Sequence, residues 1–315
     1  MNKIPLERTI GSAYQFAFRN FLSVLGVLWL PAVVVCAVIA GVIYLTWGDI
    51  SQLHSLSMQA SSLTDSRDAL TQQRLDALLA VAGSLGRFGG LIALLLLIAR
   101  AMVSVGVLRK ALGLHEGPIF VYFSLGAPVW RMVGAMILAV LAIVAVSIAT
   151  CIVAGILYWA CQFAPDSARS LLRGILIVVA ALWIFYAIIR LVFFLPAVVV
   201  AENSIGLGRS WQLGGGNFWR IVAVLIAVLL PVAIVAGILS NSIFGAYWWM
   251  EFRQAVQSGQ PIPPDQLFAS LMRHIGQIWP VWVAFEVIYI TLLTGLSLGA
   301  IAAAYTNVTR SELPA

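Results

Sequence analysis

Apolar residues run along this chain in six long stretches, near 21–47, 86–112, 132–160, 172–200, 219–245 and 280–305. Each exceeds the roughly 20 residues a helix needs to cross bilayer hydrocarbon. Tilt, kinks or helix ends beyond the hydrocarbon are therefore expected. Pro31, Pro196 and Pro231 sit inside or near the ends of these runs and are expected to bend them. Ahead of the first run, segment 4–21 is amphipathic. Leu6, Ile10, Ala13, Tyr14, Ala17 and Phe21 fall at helical spacing, with Glu7, Arg8, Gln15 and Arg19 elsewhere on the wheel. Such a helix is expected to lie flat among the headgroups. Segment 203–218 resembles it, but Gly214, Gly215 and Gly216 should break the helix and turn the chain into the fifth run. Segments 48–85 and 246–279 read as long loops with helical stretches. The first carries Leu70 and Leu78 among Arg67, Asp68, Arg74 and Asp76; the second carries Phe268, Leu271, Met272 and Ile275 in a stripe after Asp265. The pattern predicts an all-α polytopic membrane helical bundle, a single integral membrane domain over 1–315 with six transmembrane helices.

Composition closes off the alternatives. The chain is 62% hydrophobic and 10% charged, whereas a soluble domain carries about 25% charged residues. This excludes a water-soluble enzyme, a nucleic-acid binder and a disordered scaffold. The first apolar run is too long for the core of a cleavable signal peptide and is expected to remain as an anchor. Cys36, Cys151 and Cys161 form no CxxC motif and read as small buried apolar residues.

The net charge of +6 reads as topology. Six spans put both termini on one side. That side holds eleven basic residues (Lys3, Arg8, Arg19, Arg100, Arg109, Lys110, Arg131, Arg190, Arg209, Arg220 and Arg310) against four acidic ones. The other side holds seven against seven. The positive-inside rule places the N- and C-termini in the cytoplasm. Aromatic belts fit the same frame: Tyr14, Trp130, Trp211, Trp219 and Tyr305, with Arg19 beside them, mark the cytoplasmic interface.

The chain also resembles itself. Residues 13–21 read AYQFAFRNF and residues 210–218 read SWQLGGGNF. At an offset of 197, Gln15 matches Gln212, Asn20 matches Asn217 and Phe21 matches Phe218. FSLGAPVWR at 123–131 is a looser third copy. The unit read from this is an interfacial helix, a span out and a span back, repeated near 1–115, 116–200 and 201–315. Such parallel repeats surround a pseudo-rotation axis along the membrane normal. Two small-residue pairs, Gly86 with Gly90 and Gly295 with Gly299, permit close helix packing.

Candidate chemistry is sparse. His54, His115 and His274 are scattered over both sides, and no metal, nucleotide or nucleophile motif stands at a usable position. No cofactor is implied. Charges inside the apolar runs are the stronger lead, because charge in hydrocarbon is costly. Arg100 lies about 13 Å from the boundary marked by Arg109, and Arg190 about 18 Å from Glu202 if the helix continues past Pro196. Glu286 lies about 9 Å below Pro280 on the opposite side. All three fall near one middle layer. One reading is a ligand-binding cavity in which Arg100 and Arg190 share Glu286, leaving one positive charge for a phosphate or carboxylate. The other is that each Arg marks a helix end or snorkels to the interface.

The segment from Arg190 to Arg220 reads RLVFFLPAVVVAENSIGLGRSWQLGGGNFWR. An Arg, an apolar run with Pro196, Glu202, Ser210-Trp211, Leu213 and Gly216-Asn217-Phe218-Trp219 make a pattern. It resembles the membrane domain of bacterial glycerophosphoryl diester phosphodiesterases and related stand-alone inner-membrane proteins. The resemblance implies a helical domain of the bacterial inner membrane. It does not carry over catalysis, which in that family belongs to a separate soluble barrel of about 250 residues, far larger than the polar loops here. The expected function is a non-enzymatic membrane protein that binds or moves lipids or an amphipathic anion, or organises the membrane. A small-solute transporter or channel, and a structural subunit docking a partner through its outer loops, remain open beside it. Partners expected are membrane lipids, with a protein partner or self-association left open, and no nucleic acid.

Overall fold

The computed structural model describes residues 3–62, 67–115, 117, 119–163, 165–258 and 264–309. Hydrocarbon offers a backbone no hydrogen-bond partner, so an apolar stretch satisfies its own amides as a helix. Among the described residues the chain forms α-helices, a 3-10 turn at Cys161–Phe163 and no strand. In chain order the helices are α1 (Leu6–Arg19), α2 (Phe21–Ser62), α3 (Arg67–Ala111), α4 (Ala127–Ala160), α5 (Asp166–Val192), α6 (Leu195–Glu202), α7 (Leu207–Gly214), α8 (Phe218–Ser258) and α9 (Pro264–Thr309). Among the described residues, six segments are long and apolar enough to cross a membrane: Phe21–Gly48, Gly86–Ala111, Ala127–Phe163, Ala168–Glu202, Phe218–Ile243 and Gly276–Thr309. The polytopic helical bundle read from the sequence is the architecture formed.

The supposed long loops are different from expectation. They are largely continuations of the spanning helices, so that α2, α3, α8 and α9 run for 42, 45, 41 and 46 residues. At about 1.5 Å per residue each is roughly twice as long as the hydrocarbon is thick. Residues 49–62 contain no Gly or Pro, the residues that stop a helix most effectively. The side chains of His54, His274, Leu70, Leu78 and the 268–275 stripe lie outside the described residues.

The chain divides into two compact units. The first is Met1–Val27, Ala101–Val232 and Thr291–Ala315; the second is Leu28–Arg100 and Ala233–Ile290. The first unit holds a packed core of Ile4, Ala13, Ala17, Phe193, Phe194, Ala197, Val198, Leu213, Ile221, Leu296 and Ala300 with their neighbours. Lipid tails are as apolar as Leu, so within hydrocarbon this packing rests on close van der Waals contact rather than on expulsion of water. Small residues make the contact close. A Cβ added at Gly295 would stand 3.3 Å from the Ala17 Cα, and one at Gly299 would stand 2.9 Å from the Phe16 ring. The pair Gly86 and Gly90, in the second unit, faces open space. Cys36 and Cys151 are exposed, not buried as their type suggested.

α1 carries Glu7 in its first turn and Arg19 in its last, both matched to the helix dipole. Its apolar stripe turns inward. Thr9, Ala13 and Ala17 are buried, and Leu6, Ile10 and Tyr14 pack partly against the core. This departs from a helix that gives its apolar face to headgroups, because the small side chains at 13 and 17 find a tighter fit on α9. The Asn20 amide ends the helix by donating to the Phe16 carbonyl at 3.2 Å. Asn217, its partner at the offset of 197, donates likewise to the Leu213 carbonyl at 3.5 Å.

The matched positions also take matched contacts. α1 packs on α9 through Ala13 and Ala17. α7 packs on α5, where Cβ atoms at Gly214 would meet Arg190 Cα at 3.3 Å. The segment before α4 is not helical, unlike the other two lead-in segments, yet it takes the corresponding place: Tyr122 lies against Gly106 of α3. Each lead-in segment therefore meets the returning helix that precedes it in a cyclic order. The chain start is also tied to the entry of α8, where the Ile4 amide donates to Asn217 Oδ1 at 3.1 Å and Arg220 Nη1 donates to the Ile4 carbonyl at 2.7 Å.

Pro196 interrupts its span. α5 stops at Val192 and α6 restarts at Leu195 with Pro196 in its first turn. Proline lacks the amide that would continue the ladder and clashes with the turn before it. The axis from Arg190 to Glu202 is therefore broken, and the depth of about 18 Å that assumed one straight helix does not apply. Pro31 and Pro231, by contrast, lie inside continuous helices.

Candidate functional site

The break at Pro196 leaves main-chain carbonyls without helical donors. The buried Ser210 hydroxyl fills the gap, donating to the Leu191 carbonyl at 2.9 Å with the Arg190 carbonyl at 3.3 Å. This fastens α7 to the end of α5 and sets the geometry around Arg190, in the last turn of α5.

The Arg190 guanidinium is held on three sides. Nη1 donates to the Tyr186 hydroxyl at 2.7 Å, one turn earlier on the same helix. Nη2 donates to the Trp211 carbonyl at 2.8 Å. The guanidinium carbon sits 4.0 Å from the Trp211 ring centroid and 5.3 Å from that of Tyr186. Cations bind aromatic faces through the ring quadrupole. Tyr186 is in turn braced by Phe218, with ring centroids 4.8 Å apart.

Local sequence explains the fit. α7 ends at Gly214, so the Trp211 carbonyl is among the last four, which have no intrahelical donor. That end of the helix carries partial negative charge, which favours a cation. Gly215 lets the backbone come close, since a Cβ there would stand 3.0 Å from Arg190 Nη2. Gly216, at φ 73°, turns the chain toward α8 in a conformation that side chains resist. The glycine triplet thus ends the helix, as its sequence predicts, and also makes room for the cation.

The charge of Arg190 has dipoles and rings around it, but among the described residues no carboxylate pairs with it. Its Nε is buried with its hydrogen unused. A site of this kind can accept an anion, since a guanidinium edge offers parallel donors to a phosphate or carboxylate.

A second polar cluster joins helix ends in the same unit. Glu202 accepts from Arg209 Nε at 3.3 Å and from the Tyr305 hydroxyl at 2.9 Å. Arg131 Nη1 donates to Asn203 Oδ1 at 3.1 Å, and Asn203 ends α6 in the left-handed region at φ 54°. Asn tolerates that conformation better than other residues with a Cβ.

Arg100 and Glu286 belong to the second unit, Arg100 exposed and Glu286 half-buried. Within that unit neither makes a hydrogen bond or ion pair to a described residue. Of the interfacial set, Arg19, Trp130 and Trp219 are exposed, Trp211 is taken up by Arg190, and Tyr14 donates to the Ala227 carbonyl at 3.1 Å. Tyr186 had no role in the sequence reading, and Ser210 entered it only within the family pattern and the internal repeat, not as a donor to α5. The signal for the first was its spacing of four residues from Arg190, which places both on one helix face. No group of three or more His, Cys, Asp or Glu able to hold a metal occurs among the described residues.

Residues 162–259 match the family model described as the membrane domain of glycerophosphoryl diester phosphodiesterase. The matched stretch contains Tyr186, Arg190, Ser210, Trp211, the glycine triplet and Asn217, so the likeness carried by residues 190–220 extends over the whole Arg190 site. The description is of a membrane domain and not of a catalytic one. No curated protein and no solved structure matches the chain.

Proposed function

We propose that this multi-pass membrane protein is a non-enzymatic inner-membrane component that binds or moves anionic amphiphiles, phospholipid headgroups or glycerophosphodiesters, with Arg190 as the cation that receives the phosphate. The observation that carries this reading is the state of that guanidinium: charged, held in position by Tyr186 and Trp211, without a carboxylate among the described residues, and with the Nε–H buried and unused. A fixed cation costs little further ordering when an anion arrives. The family description supports a phosphodiester as the chemistry recognised. The basic residues clustered on the side of the termini support a cytoplasmic location for both. Arg100 and Glu286 stay functional candidates in this reading, because a charge kept in an apolar helix without a local partner needs a reason other than stability.

The experiment is a titration of the purified full chain with phosphatidylglycerol and phosphatidylcholine of matched acyl chains, followed by native mass spectrometry. The wild type should retain the anionic lipid about tenfold more strongly, and Arg190→Gln should abolish the preference while Arg190→Lys keeps part of it. Equal retention of the two lipids by the wild type, or a preference untouched in Arg190→Gln, contradicts the proposal.

A further inference from the structure

A groove of about 460 Å³ runs between α4 and α5, in the half of the hairpin away from the chain termini. Its walls are two helical stripes: Val146, Ala154 and Leu157 belong to one, Leu176, Ala180 and Trp183 to the other. The walls are apolar throughout. Thr150, the hydroxyl residue among them, donates to the Val146 carbonyl at 2.7 Å and so offers no unpaired donor. The small side chains of Ala154 and Ala180 leave the space between the two stripes unfilled.

One end of the groove is charged. Arg173 lies one turn before Leu176 on α5 and reaches across to α4, with its guanidinium carbon 4.4 Å from the Tyr158 ring centroid. Tyr158 adjoins Leu157 of the wall. Arg173 makes no hydrogen bond or ion pair among the described residues, and its Nε is buried without a partner. From Arg173 to Trp183 the helix rises about 15 Å, the thickness of one leaflet of a hydrocarbon core about 30 Å across.

We propose that this groove holds one acyl chain of a phospholipid in the leaflet opposite the termini, with the lipid phosphate on Arg173. The charge at the mouth, the apolar walls and a length of one leaflet match the two parts of that molecule. A guanidinium seated over an aromatic face can still offer its Nη donors to phosphate oxygens. A bare apolar face would take any lipid tail; the cation at one end selects the phosphorylated ones and fixes the chain in register. The site is separate from Arg190 and stands or falls independently of the role proposed there.

The test is photocrosslinking of the full chain in vesicles doped with a phosphatidylethanolamine whose acyl chain carries a diazirine, with crosslinks mapped by peptide mass spectrometry. Phosphatidylethanolamine tests the groove without the anionic preference assigned to Arg190. The readout is the ratio of crosslinks on the groove stripes to crosslinks on Ile148 and Ile152, which are exposed on the same helix. The wild type should favour the groove about tenfold, and both Ala154→Phe, which fills it, and Arg173→Gln, which removes the charge, should bring the ratio close to one. A diazirine-labelled diacylglycerol, lacking phosphate, should also give a ratio near one. A wild-type ratio near one, or a ratio unchanged in both variants, would overturn the proposal.

Discussion

Arg190 donates to the main-chain carbonyl of Trp211 at 2.8 Å while lying 4.0 Å over the ring of the same residue. One side chain thereby caps the end of α7 and packs on its aromatic face. The arrangement joins the helix before the Pro196 break to the lead-in helix after it, and it leaves a positive charge fixed near that junction.

Arg190→Ala should lower stability by about 2–4 kcal/mol, the sum expected for charged hydrogen bonds and a cation–π contact. Arg190→Lys should fall between the two, because an ammonium cannot serve the Tyr186 hydroxyl, the Trp211 carbonyl and a ring face together. Thermal unfolding of both variants in detergent checks the order. A lysine variant as stable as the wild type would show that charge alone, and not the planar fork, holds the junction.

Ser210→Ala removes the donor that serves the broken end of α5. The Arg190 and Leu191 carbonyls are then left in a buried setting, at a cost of about 1–3 kcal/mol. Hydrogen exchange should show faster opening of α7 in that variant, with α1 unchanged.

Asn20 and Asn217 occupy matched places, but their loads differ. Both cap the preceding helix through the side-chain amide, and Asn217 also accepts from the Ile4 amide at 3.1 Å. Asn217→Ala should therefore cost about 1–2 kcal/mol more than Asn20→Ala. Loss of exchange protection at the Ile4 amide in the Asn217 variant alone is the accompanying signature.

Close packing in the first unit predicts a graded response at two glycines. A Cβ at Gly26 would overlap the Ile119 carbonyl, which is backbone, whereas one at Gly299 meets the edge of the Phe16 ring at 2.9 Å. A ring can swing and a carbonyl in a packed segment cannot. Gly26→Ala should consequently reduce folded yield and melting temperature much more than Gly299→Ala, as measured by size-exclusion recovery and thermal denaturation.

How far the sequence carried these features depends on the physics behind each. Spans were legible because the bilayer imposes one rule on all of them: about 20 apolar residues, helical, with Pro and Gly as punctuation. The glycine triplet was legible for the same reason, since no ordinary helix continues through Gly214–Gly216. The lengths of α2 and α9 were not, because polar helical extensions look like loops when only hydropathy is followed. The inward turn of α1 was also hidden: an amphipathic wheel has an apolar face whether membrane or protein covers it. Arg190 stood out as a charge in an apolar run, yet its partners did not. Trp211 contributes a carbonyl, which every residue has, and Ser210 a hydroxyl whose use depends on where Pro196 opens the helix. Such contacts depend on tertiary geometry and leave little trace in residue type.

The most direct test of the account is the Arg190 Nε–H itself, observed by proton–nitrogen NMR on protein labelled with nitrogen-15 arginine in nanodiscs, with the resonance assigned by its loss in Arg190→Lys. Replacing phosphatidylcholine by phosphatidylglycerol should shift this resonance saturably, as the unused donor acquires a phosphate oxygen. A resonance that stays in place across the full range of anionic lipid would contradict the assignment of Arg190 as the phosphate-receiving cation.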